Sequence, residues 1–489
     1  MTPLALDAKS QADTTKAEVL TEAIVSGVRA QKNAPYAVAN VGRKALQDFS
    51  GTGKELPFLL STTPGVLSWS GNGLGIGTSY LRIRGAGDSR INVTVDGVPL
   101  NSPEDQCVFW ANMNSYSALM ESVQIQRGVG SSTNGDGAFG GSVALRTKAP
   151  SYDPFVELNA SYGSYNTYNT GFSMSTGLLG NHFVADAAFH TTGTDGYIHG
   201  TAGKSGSWYA GLNWIGRDFI IRYRNIGNYE HTGQAWNGVT AGTDDLSIMD
   251  GTYGKNTGIK TYADMYREGL GKFNSLYESM DPKTYETTRY TLNDGSYWPK
   301  TTDNFWQDHN ILSAAWNINE NLKTTLSLHY TYGYGYYDEF KPDSKVSKFG
   351  FDMVKSNGKP LRSDFVRQKG LSQNAAGVVY NISYNNNGWD VIGGLSGQMF
   401  WGNHFGYLTY VSNKDVVNHY PGLAGLNDTD FDNGRYTYYD SDARKDDYSA
   451  FVKASRQFGE HFTVFADLQY RHVRYTTDGI NDKFVKQKD

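Results

Sequence analysis

The stretch of sequence that decides the fold runs from Ser79 to Lys148 and reads SYLRIRGAGDSRINVTVDGVPLNSPEDQCVFWANMNSYSALMESVQIQRGVGSSTNGDGAFGGSVALRTK. Within it, short runs rich in β-branched residues alternate with glycine-rich turns, which is typical of short strands joined by tight connections. The predicted strands are Leu81–Arg84, Ile91–Asp96, Ser122–Arg127 and Ser142–Arg146. The stretch therefore predicts a small globular domain built around a sheet.

From Tyr152 onwards the chain changes to longer segments in which apolar and polar residues alternate. In the first of them, Val156–Tyr162, every second residue is apolar. The same period of two recurs in Phe183–His190, Trp208–Trp214, Phe219–Tyr223, Leu322–Tyr332, Ala376–Tyr384, Trp389–Trp401, Tyr448–Ala454 and Phe462–Tyr470. One apolar and one polar face suit a barrel wall between lipid and a watery lumen, although a soluble antiparallel sandwich alternates in the same way.

Strand length and connection length favour the barrel. Trp389–Trp401 reaches or exceeds the ~9–11 residues that a tilted strand needs to cross a bilayer. Short turns and long excursions alternate along the chain, as they do in outer-membrane barrels. The short turns are Leu179–His182, Gly216–Asp218, Asn319–Asn321, Asn385–Gly388 and Phe458–His461, and the long excursions lie near Asn228–Phe305, Gly333–Leu371 and Gly402–Lys445. Counting the spans predicts roughly eleven strands.

Composition excludes several classes of protein. The chain has 489 residues, and its mean hydropathy of −0.51 and its lack of long apolar runs exclude a transmembrane helix. A net charge of −5 argues against a nucleic-acid partner. Cys107 is alone, so no internal disulfide is possible. The first residues lack the apolar core of a signal peptide, which an outer-membrane protein needs, so we expect that the signal has been removed or lies upstream.

Four blocks in the opening stretch resemble the plug domain of TonB-dependent outer-membrane receptors. They are LRIRG at Leu81–Gly85, VDGVPL at Val95–Leu100, ESVQIQRG at Glu121–Gly128 and GAFGGSVALRT at Gly137–Thr147. The resemblance implies an α+β plug domain inside an antiparallel transmembrane β-barrel in the outer membrane. It divides the chain into a tail with a TonB box (1–32), a plug (33–150) and barrel strands (151–489).

The strand count differs from that of the family. Its barrel has about 22 strands, whereas roughly 11 are predicted here, and this chain ends soon after the last of them. We therefore expect it to be the N-terminal half of a receptor. Such a half barrel has two unpaired edges, which lipid cannot satisfy, so by itself it is expected not to form a stable pore.

The tail carries a short β-prone run where the family has its TonB box. The run consists of Glu18, Val19, Leu20, Thr21, Glu22, Ala23, Ile24, Val25, Ser26 and Gly27. A TonB box adds a strand to an edge of TonB through main-chain hydrogen bonds. The alternative is a disordered tail with a chance apolar patch. Further along, the spacing of apolar residues predicts a helix over Ala45–Ser61.

In this family the ligand lies between plug loops and barrel loops. The two corresponding plug loops are Ser68–Tyr80 and Asn101–Ser117. Their candidate contacts offer aromatic area and directed polar groups: Trp69, Asn72, Asp105, Gln106, Phe109 and Trp110. For Phe109 and Trp110 the alternative, which the residue types favour, is packing in the plug core or between plug and barrel. On the barrel side Trp236 and Asn237 are candidates, with a structural role in the loop as the alternative.

The remaining expectations concern function. YEHTGQAWNGV at Tyr229–Val239 is similar to receptors common in Bacteroidetes, many of them assigned to ferric-chelate uptake. The resemblance implies import of a ferric siderophore with TonB, outer-membrane lipid and the chelate as partners. Cobalamin or haem uptake is an alternative, and an adhesin or passive pore a remoter one. No catalytic constellation, cofactor or metal site is predicted. The plug arginines Arg82, Arg84, Arg127 and Arg146 are expected to pair with lumen carboxylates.

Overall fold

The computed structural model describes residues 20–21, 23–30, 36–128, 139–238, 261–281, 283–356, 358–431, 434–484 and 486–487. Seven short strands build the N-terminal domain, called the plug here. They are β1 Ala37–Gly42, β2 Val66–Ser70, β3 Ser79–Ile83, β4 Ile91–Val95, β5 Val98–Pro99, β6 Met120–Arg127 and β7 Gly141–Thr147. Five of them form a sheet in the order β1-β6-β7-β4-β5, with β4 and β7 parallel, while β2 and β3 form a separate hairpin. The four strands predicted in this region are confirmed.

The single helix predicted over Ala45–Ser61 is wrong. Two short helices take its place, α1 Arg43–Ser50 and α2 Pro57–Leu60. Between them Gly53 has φ of +69°, outside helical geometry. Pro57 has no N–H to continue an earlier helix, and it begins the next one. The other helices are α3 Tyr116–Leu119, α4 Tyr262–Arg267 and α5 Lys414–His419, with 3-10 turns at Asp88–Arg90, Trp110–Met113, Val346–Phe349 and Pro421–Leu423.

Eleven long strands form one antiparallel sheet in which each strand pairs with the next long strand along the chain. They are β8 Pro154–Gly163, β9 Thr167–Thr176, β10 Phe183–Thr194, β11 Gly203–Ile215, β12 Phe219–Gly233, β15 Thr302–Asn317, β16 Leu322–Lys345, β19 Arg362–Asn386, β20 Trp389–Val411, β21 Tyr436–Phe458 and β22 Phe462–Ile480. A two-residue strand, β23 Lys486–Gln487, follows β22 at one edge. Small hairpins lie in the loops: β13 Glu278–Met280 with β14 Thr287–Arg289, and β17 Lys355–Ser356 with β18 Lys359–Pro360. The predicted sheet of about eleven spanning strands is confirmed.

Several predicted boundaries need correction. Strands β9 and β15 were not among the predicted segments, and β15 begins inside the predicted excursion near Asn228–Phe305. Strands β16 and β19 have 24 and 25 residues, so the loop between them is only 346–361. Likewise the loop between β20 and β21 is 412–435. The polar, tyrosine-rich upper parts of these strands carry no alternation in hydropathy, but they continue the hydrogen-bonded ladder.

In the large sheet the exposed face is apolar and the covered face is polar, which is the reverse of the arrangement in a soluble protein. On β16 the exposed side chains are apolar or aromatic: Leu326, Leu328, Tyr330, Tyr332 and Tyr334. Thr325, Ser327 and His329, which alternate with them, are polar and no more than 6% exposed. An apolar outer face around a polar, covered inner face is the arrangement of a membrane-spanning barrel wall. Among the described residues, no helix is long and apolar enough to cross a membrane.

The plug lies against the inner face of this sheet. Its core contains Leu46, Val93, Ile125 and Leu145, all fully or almost fully buried. The same apolar cluster includes four residues of the sheet, which are Ala188, Tyr209, Ile226 and Ile311. Burial of this shared apolar surface therefore holds the plug in the concave side of the sheet.

The segment that precedes the plug is β-prone in sequence, but its described residues are not in a strand. Of the predicted TonB box, Glu18, Val19 and Glu22 lie outside the described residues. The described residues between 20 and 24 are helical, and 25–28 form turns. Leu20 and Ile24 are at most 2% exposed, because they pack on apolar side chains near the short turns of the sheet. Tertiary burial has overridden the local β propensity here.

Candidate functional site

A cavity of about 520 Å³ lies between the plug and the long-loop end of the large sheet. The plug contributes Ser102, Asp105, Phe109 and Asn112. The sheet contributes residues from β12, β15, β16, β19, β20, β21 and β22, and its aromatic members are Phe305, Tyr336, Tyr337, Tyr439 and Tyr475. Flat aromatic walls with a few polar groups are typical of a small-molecule site.

The plug side of the cavity is a loop whose shape depends on Asn101. Its amide Nδ2 donates to the backbone oxygens of Ile91 and Gln106, both at 2.8 Å. Its Oδ1 accepts from the backbone N–H of Val93 at 2.7 Å. These bonds tie the loop to β4, and they leave Asp105 and Phe109 exposed, Phe109 to 55%. The loop thus presents one carboxylate and one aromatic ring.

The same loop is bonded to three neighbouring strands of the sheet. The Glu104 carboxylate contacts His404 Nε2 of β20 at 2.7 Å and accepts from the Tyr475 hydroxyl of β22 at 2.8 Å. Lys445 of β21 donates through Nζ to the backbone oxygen of Pro103 at 2.7 Å. A ligand that displaces this loop would therefore change contacts between plug and sheet directly.

The surroundings of this loop raise the pKa of one of its carboxyl groups. Burial raises the pKa of Asp105, the neighbouring Glu104 adds to that, and His404 opposes it. Asp105 is nevertheless accessible from the cavity.

The other candidates from this loop lie elsewhere. Trp110 is 1% exposed and belongs to the plug core, where its Nε1 donates to Asp88 Oδ1 at 3.3 Å. Gln106 supports the loop turn through its backbone N–H, which donates to Ser102 O at 2.9 Å, and it is not among the residues that line the cavity. Trp110 therefore packs in the plug core, whereas Phe109 lines the cavity.

The first candidate loop does not reach the cavity either. Asn72 is buried and bonds within its own loop, to Ile76 O and Ser70 Oγ. Trp69 stacks on Tyr80 with ring centroids 5.2 Å apart, and the Arg82 guanidinium lies 5.4 Å from the Trp69 ring. These residues shape the β2–β3 hairpin.

Neither of the two barrel-side candidates lines the cavity. The Trp236 ring meets the Tyr337 ring edge-on at 5.2 Å, and Tyr337 lines the cavity. Asn237 donates through Nδ2 to Ser275 Oγ at 3.0 Å within the long loop. Trp236 therefore supports a cavity residue, whereas Asn237 holds the loop.

A buried carboxyl group, that of Glu55, is hydrogen-bonded to the β2–β3 loop. Its Oε1 accepts from the backbone N–H of Gly77 at 2.6 Å, and the residue is 0% exposed. Burial raises the pKa of Glu55 to about 8, against hydrogen bonds from Ser79 and Gly77 that lower it. Glu55 is therefore protonated in the folded state at neutral pH.

Replacing Glu55 with glutamine is expected to stabilise the protein at pH 9 and to leave it unchanged at pH 5. The folded-state pKa lies above the ordinary 4.5, so the folded state holds the extra proton and stability falls as pH rises from about 4.5 to about 8. Glutamine cannot ionise and keeps an acceptor for Gly77, so a gain of about 1–3 kcal/mol is expected at high pH. Thermal unfolding across this range tests it. Asp48→Asn, at an exposed position of the plug, is the control, and identical pH dependence in Glu55→Gln and parent would contradict the assignment.

A buried ion pair joins plug and sheet below the cavity. The Asp96 carboxylate on the turn after β4 pairs with the Arg224 guanidinium on β12, and the two side chains are 1% and 0% exposed. Plug arginines were expected to pair with carboxylates of the sheet. In this ion pair the plug supplies the carboxylate and the sheet supplies the arginine. Of the plug arginines, Arg82 lies against Trp69, and Arg127 donates to the backbone oxygen of Pro64 at 2.8 Å.

Sequence reasoning missed most of the sheet side of the cavity. In β16, Tyr330, Tyr332 and Tyr334 follow the alternation and face outwards, whereas both members of the pair Tyr336–Tyr337 line the cavity. The broken alternation was a usable signal. No local signal marks His404, because its partner Glu104 is 300 positions away in the chain.

Comparison with known proteins identifies the N-terminal domain. Residues 30–142 match the family described as the TonB-dependent receptor plug domain. This range contains the whole loop that lines the cavity. No curated protein sequence matches the chain.

Solved structures share the whole described architecture. The ferric-catecholate import receptor Fiu from E. coli K12 superposes with a TM-score of 0.60 at 12% identity, covering 93% of this chain and 60% of its own. The ferric citrate transporter FecA superposes with a TM-score of 0.59 at 15% identity, and the match covers 91% of this chain and 57% of FecA. The ferric yersiniabactin uptake receptor FyuA from Yersinia pestis superposes with a TM-score of 0.58 at 13% identity, and the match covers 94% of this chain and 61% of FyuA. This chain thus spans about 60% of the length of these structures, and it shares their fold.

Proposed function

We propose that this chain, which has the plug and the barrel sheet of a TonB-dependent receptor, imports a ferric chelate across the outer membrane. Members of this family are transporters and not enzymes. The observation that carries the proposal is the cavity shared by plug and sheet. A ligand bound there touches the Asp105–Phe109 loop and the facing tyrosines at once, so binding is coupled to the domain that must move. The solved structures with the same fold are named for uptake of ferric chelates.

The proposed direction of transport rests on the positions of the cavity and of the predicted TonB box at opposite ends of the sheet. The cavity lies at the long-loop end of the sheet, which in outer-membrane barrels faces outwards. The predicted TonB box lies beside the short turns, which face the periplasm, and its residues Ala23 and Ser26 border a surface cleft there. Ligand is captured outside, and the TonB box couples the plug to TonB on the opposite side. The exposed apolar face of the sheet suits a location in the outer membrane.

Iron-limited growth tests this function. A strain that lacks the gene is expected to lose growth on the cognate ferric chelate and uptake of the radiolabelled chelate, and the gene restores both. Excess ferrous salt should support both strains equally, which controls for general fitness. Unchanged uptake of every ferric chelate, with loss of growth on haem or on cobalamin instead, would show that the cargo is wrong.

Replacing Phe109 with alanine is expected to weaken chelate binding by about 1–3 kcal/mol, because alanine removes an exposed aromatic ring that lines the cavity and can anchor a ligand. Phe139→Ala is the matched control, since Phe139 is an exposed plug phenylalanine, 73% accessible, that does not line the cavity. Binding isotherms on the purified protein and thermal melts of both variants measure this. Equal affinity in the two variants would remove Phe109 from the site.

A further inference from the structure

We infer that Lys453 is a positioning residue for energised uptake, because it holds the chain between the predicted TonB box and the plug against the large sheet. The inference rests on the proposed function and adds one residue to its coupling step. It concerns residues 25–30, called the joint here, which are bonded to the plug on one side and to the large sheet on the other.

Lys453 is buried on the inner face of the large sheet. It lies on β21, where it is 0% exposed while its neighbour Val452 is 45% exposed on the outer face. A buried lysine Nζ needs hydrogen-bond acceptors, because burial without them costs free energy. In the described chain this Nζ donates to two main-chain oxygens of the joint, Gly27 O at 3.0 Å and Arg29 O at 3.3 Å. The sheet therefore supplies the donor and the joint supplies both acceptors.

The local structure of the joint explains why its main chain can accept these bonds. The described residues between 20 and 24 are helical and 25–28 form turns, and main-chain oxygens at the end of a helical segment have no partner within it. The joint also comes very close to the sheet at Gly27. A Cβ at that position would collide with the Asn381 side chain of β19. Glycine at position 27 thus allows the approach that Lys453 needs.

The other side of the joint is bonded to the plug sheet. Arg29 Nη2 donates to Ser122 Oγ of β6 at 2.9 Å and to Ala144 O of β7 at 3.3 Å. The backbone N–H of Ala30 donates to Gln124 Oε1 of β6 at 2.8 Å. The joint therefore links the plug to the large sheet, and a pull on the chain before it acts on both sets of contacts.

This geometry gives Lys453 a role in the order of events during uptake. The large sheet resists a pull on the predicted TonB box as long as the Lys453 bonds persist, and strands β6 and β7 of the plug bear the load once these bonds break. Ser26, Arg29 and Ala30 border the cleft beside the short turns, so the joint is reached from the periplasmic end. The chelate cavity lies at the opposite end of the sheet. Loss of Lys453 should therefore free the joint and leave the cavity unchanged.

Trypsin cleavage after Arg29 measures release of the joint, because the carbonyl group that trypsin attacks is one of the two that Lys453 binds. In the purified receptor, Lys453→Met is expected to speed up cleavage of the bond between Arg29 and Ala30 at least about tenfold, since methionine cannot donate either hydrogen bond. Lys323→Met is the matched control. Lys323 lines the same cleft, but the lysine that binds the joint is Lys453, so this variant should be cleaved at the parental rate.

A second cleavage site separates local release from general loosening of the plug. Arg90 lies exposed on a 3-10 turn of the plug, and cleavage after it should proceed equally in Lys453→Met and in the parent. Equal acceleration at Arg29 and Arg90 would overturn the inference, because it would show that the substitution only destabilises the fold. A parental cleavage rate at Arg29 would overturn it as well.

Binding of TonB gives an independent measurement. Without any chelate present, the purified periplasmic domain of TonB is expected to bind Lys453→Met at least about tenfold more tightly than the parent, because the joint no longer has to leave Lys453 first. Equal affinity would count against the inference. Neither this measurement nor the cleavage needs a chelate. Import of haem or cobalamin instead of a ferric chelate would refute the proposed cargo, while faster cleavage at Arg29 would still support the role of Lys453.

Discussion

Replacing Ile24 with proline is expected to abolish energised uptake while chelate binding at the cell surface stays unchanged. A TonB box pairs with TonB through main-chain hydrogen bonds, and proline removes one N–H and holds φ near −65°. In the structure Ile24 is 2% exposed and packs in one cluster with Val184 and Ile220 of the sheet. The segment must therefore leave this cluster and lose its helical turn before it can pair as a strand.

Ile24→Val is the matched control for this prediction. Valine keeps the N–H and the β-branched shape, and the loss of one methylene costs about 0.5–1.5 kcal/mol, so uptake should persist. Uptake and surface binding of a radiolabelled ferric chelate are measured on the same cells. Normal uptake by Ile24→Pro would remove this residue from the coupling segment. Loss of surface binding by Ile24→Pro would show that the substitution disturbs the plug instead.

Replacing Asp96 with asparagine is expected to destabilise the interface between plug and sheet by about 3–5 kcal/mol, because it leaves Arg224 buried without a counter-charge. Asp96 also accepts from Thr147, from its N–H at 3.0 Å and from its Oγ1 at 2.6 Å. Asn is chosen because Asp96 has φ of +46°, which asparagine tolerates better than alanine. Thermal unfolding and protease sensitivity of the plug in the purified protein measure the effect.

A double variant separates the charge from the shape. Asp96→Asn/Arg224→Met removes both charges and is expected to recover much of the loss, since an apolar replacement of a buried ion pair is often neutral. Unfolding of Asp96→Asn at the parental temperature would show that apolar contacts alone hold the plug.

The contribution of this ion pair should also depend on pH. Burial opposes ionisation of Asp96, but Arg224 and Arg222 outweigh it and hold its pKa below the ordinary value of 3.8. Stability from a carboxyl group with a lowered pKa is present above the ordinary pKa and is lost as pH falls through the folded-state pKa. The difference between parent and Asp96→Asn should therefore be full at neutral pH and shrink only in strong acid.

Prediction from sequence succeeded for features that depend on neighbours along the chain. The four plug strands follow from β-branched runs between glycines, and the large sheet follows from alternation over segments such as Val156–Tyr162. The same reasoning failed at Ala45–Ser61, where apolar spacing was helical but Gly53 and Pro57 divide the segment. Of the residues that it proposed as ligand contacts, Asp105 and Phe109 line the cavity, and it did not propose the tyrosines of the facing wall.

The sequence by itself determined the order of the elements, the plug signature and the existence of a sheet of about eleven strands with one apolar face, because each depends on local periodicity and turn chemistry. Only the tertiary structure decided which of two adjacent aromatic residues, Phe109 or Trp110, faces the cavity. The structure further decided that the described part of the predicted TonB box is a buried helical turn. It also decided that Asp96 meets Arg224, 128 positions away. These outcomes depend on burial and charge pairing between residues far apart in the chain, and no local pattern encodes such contacts.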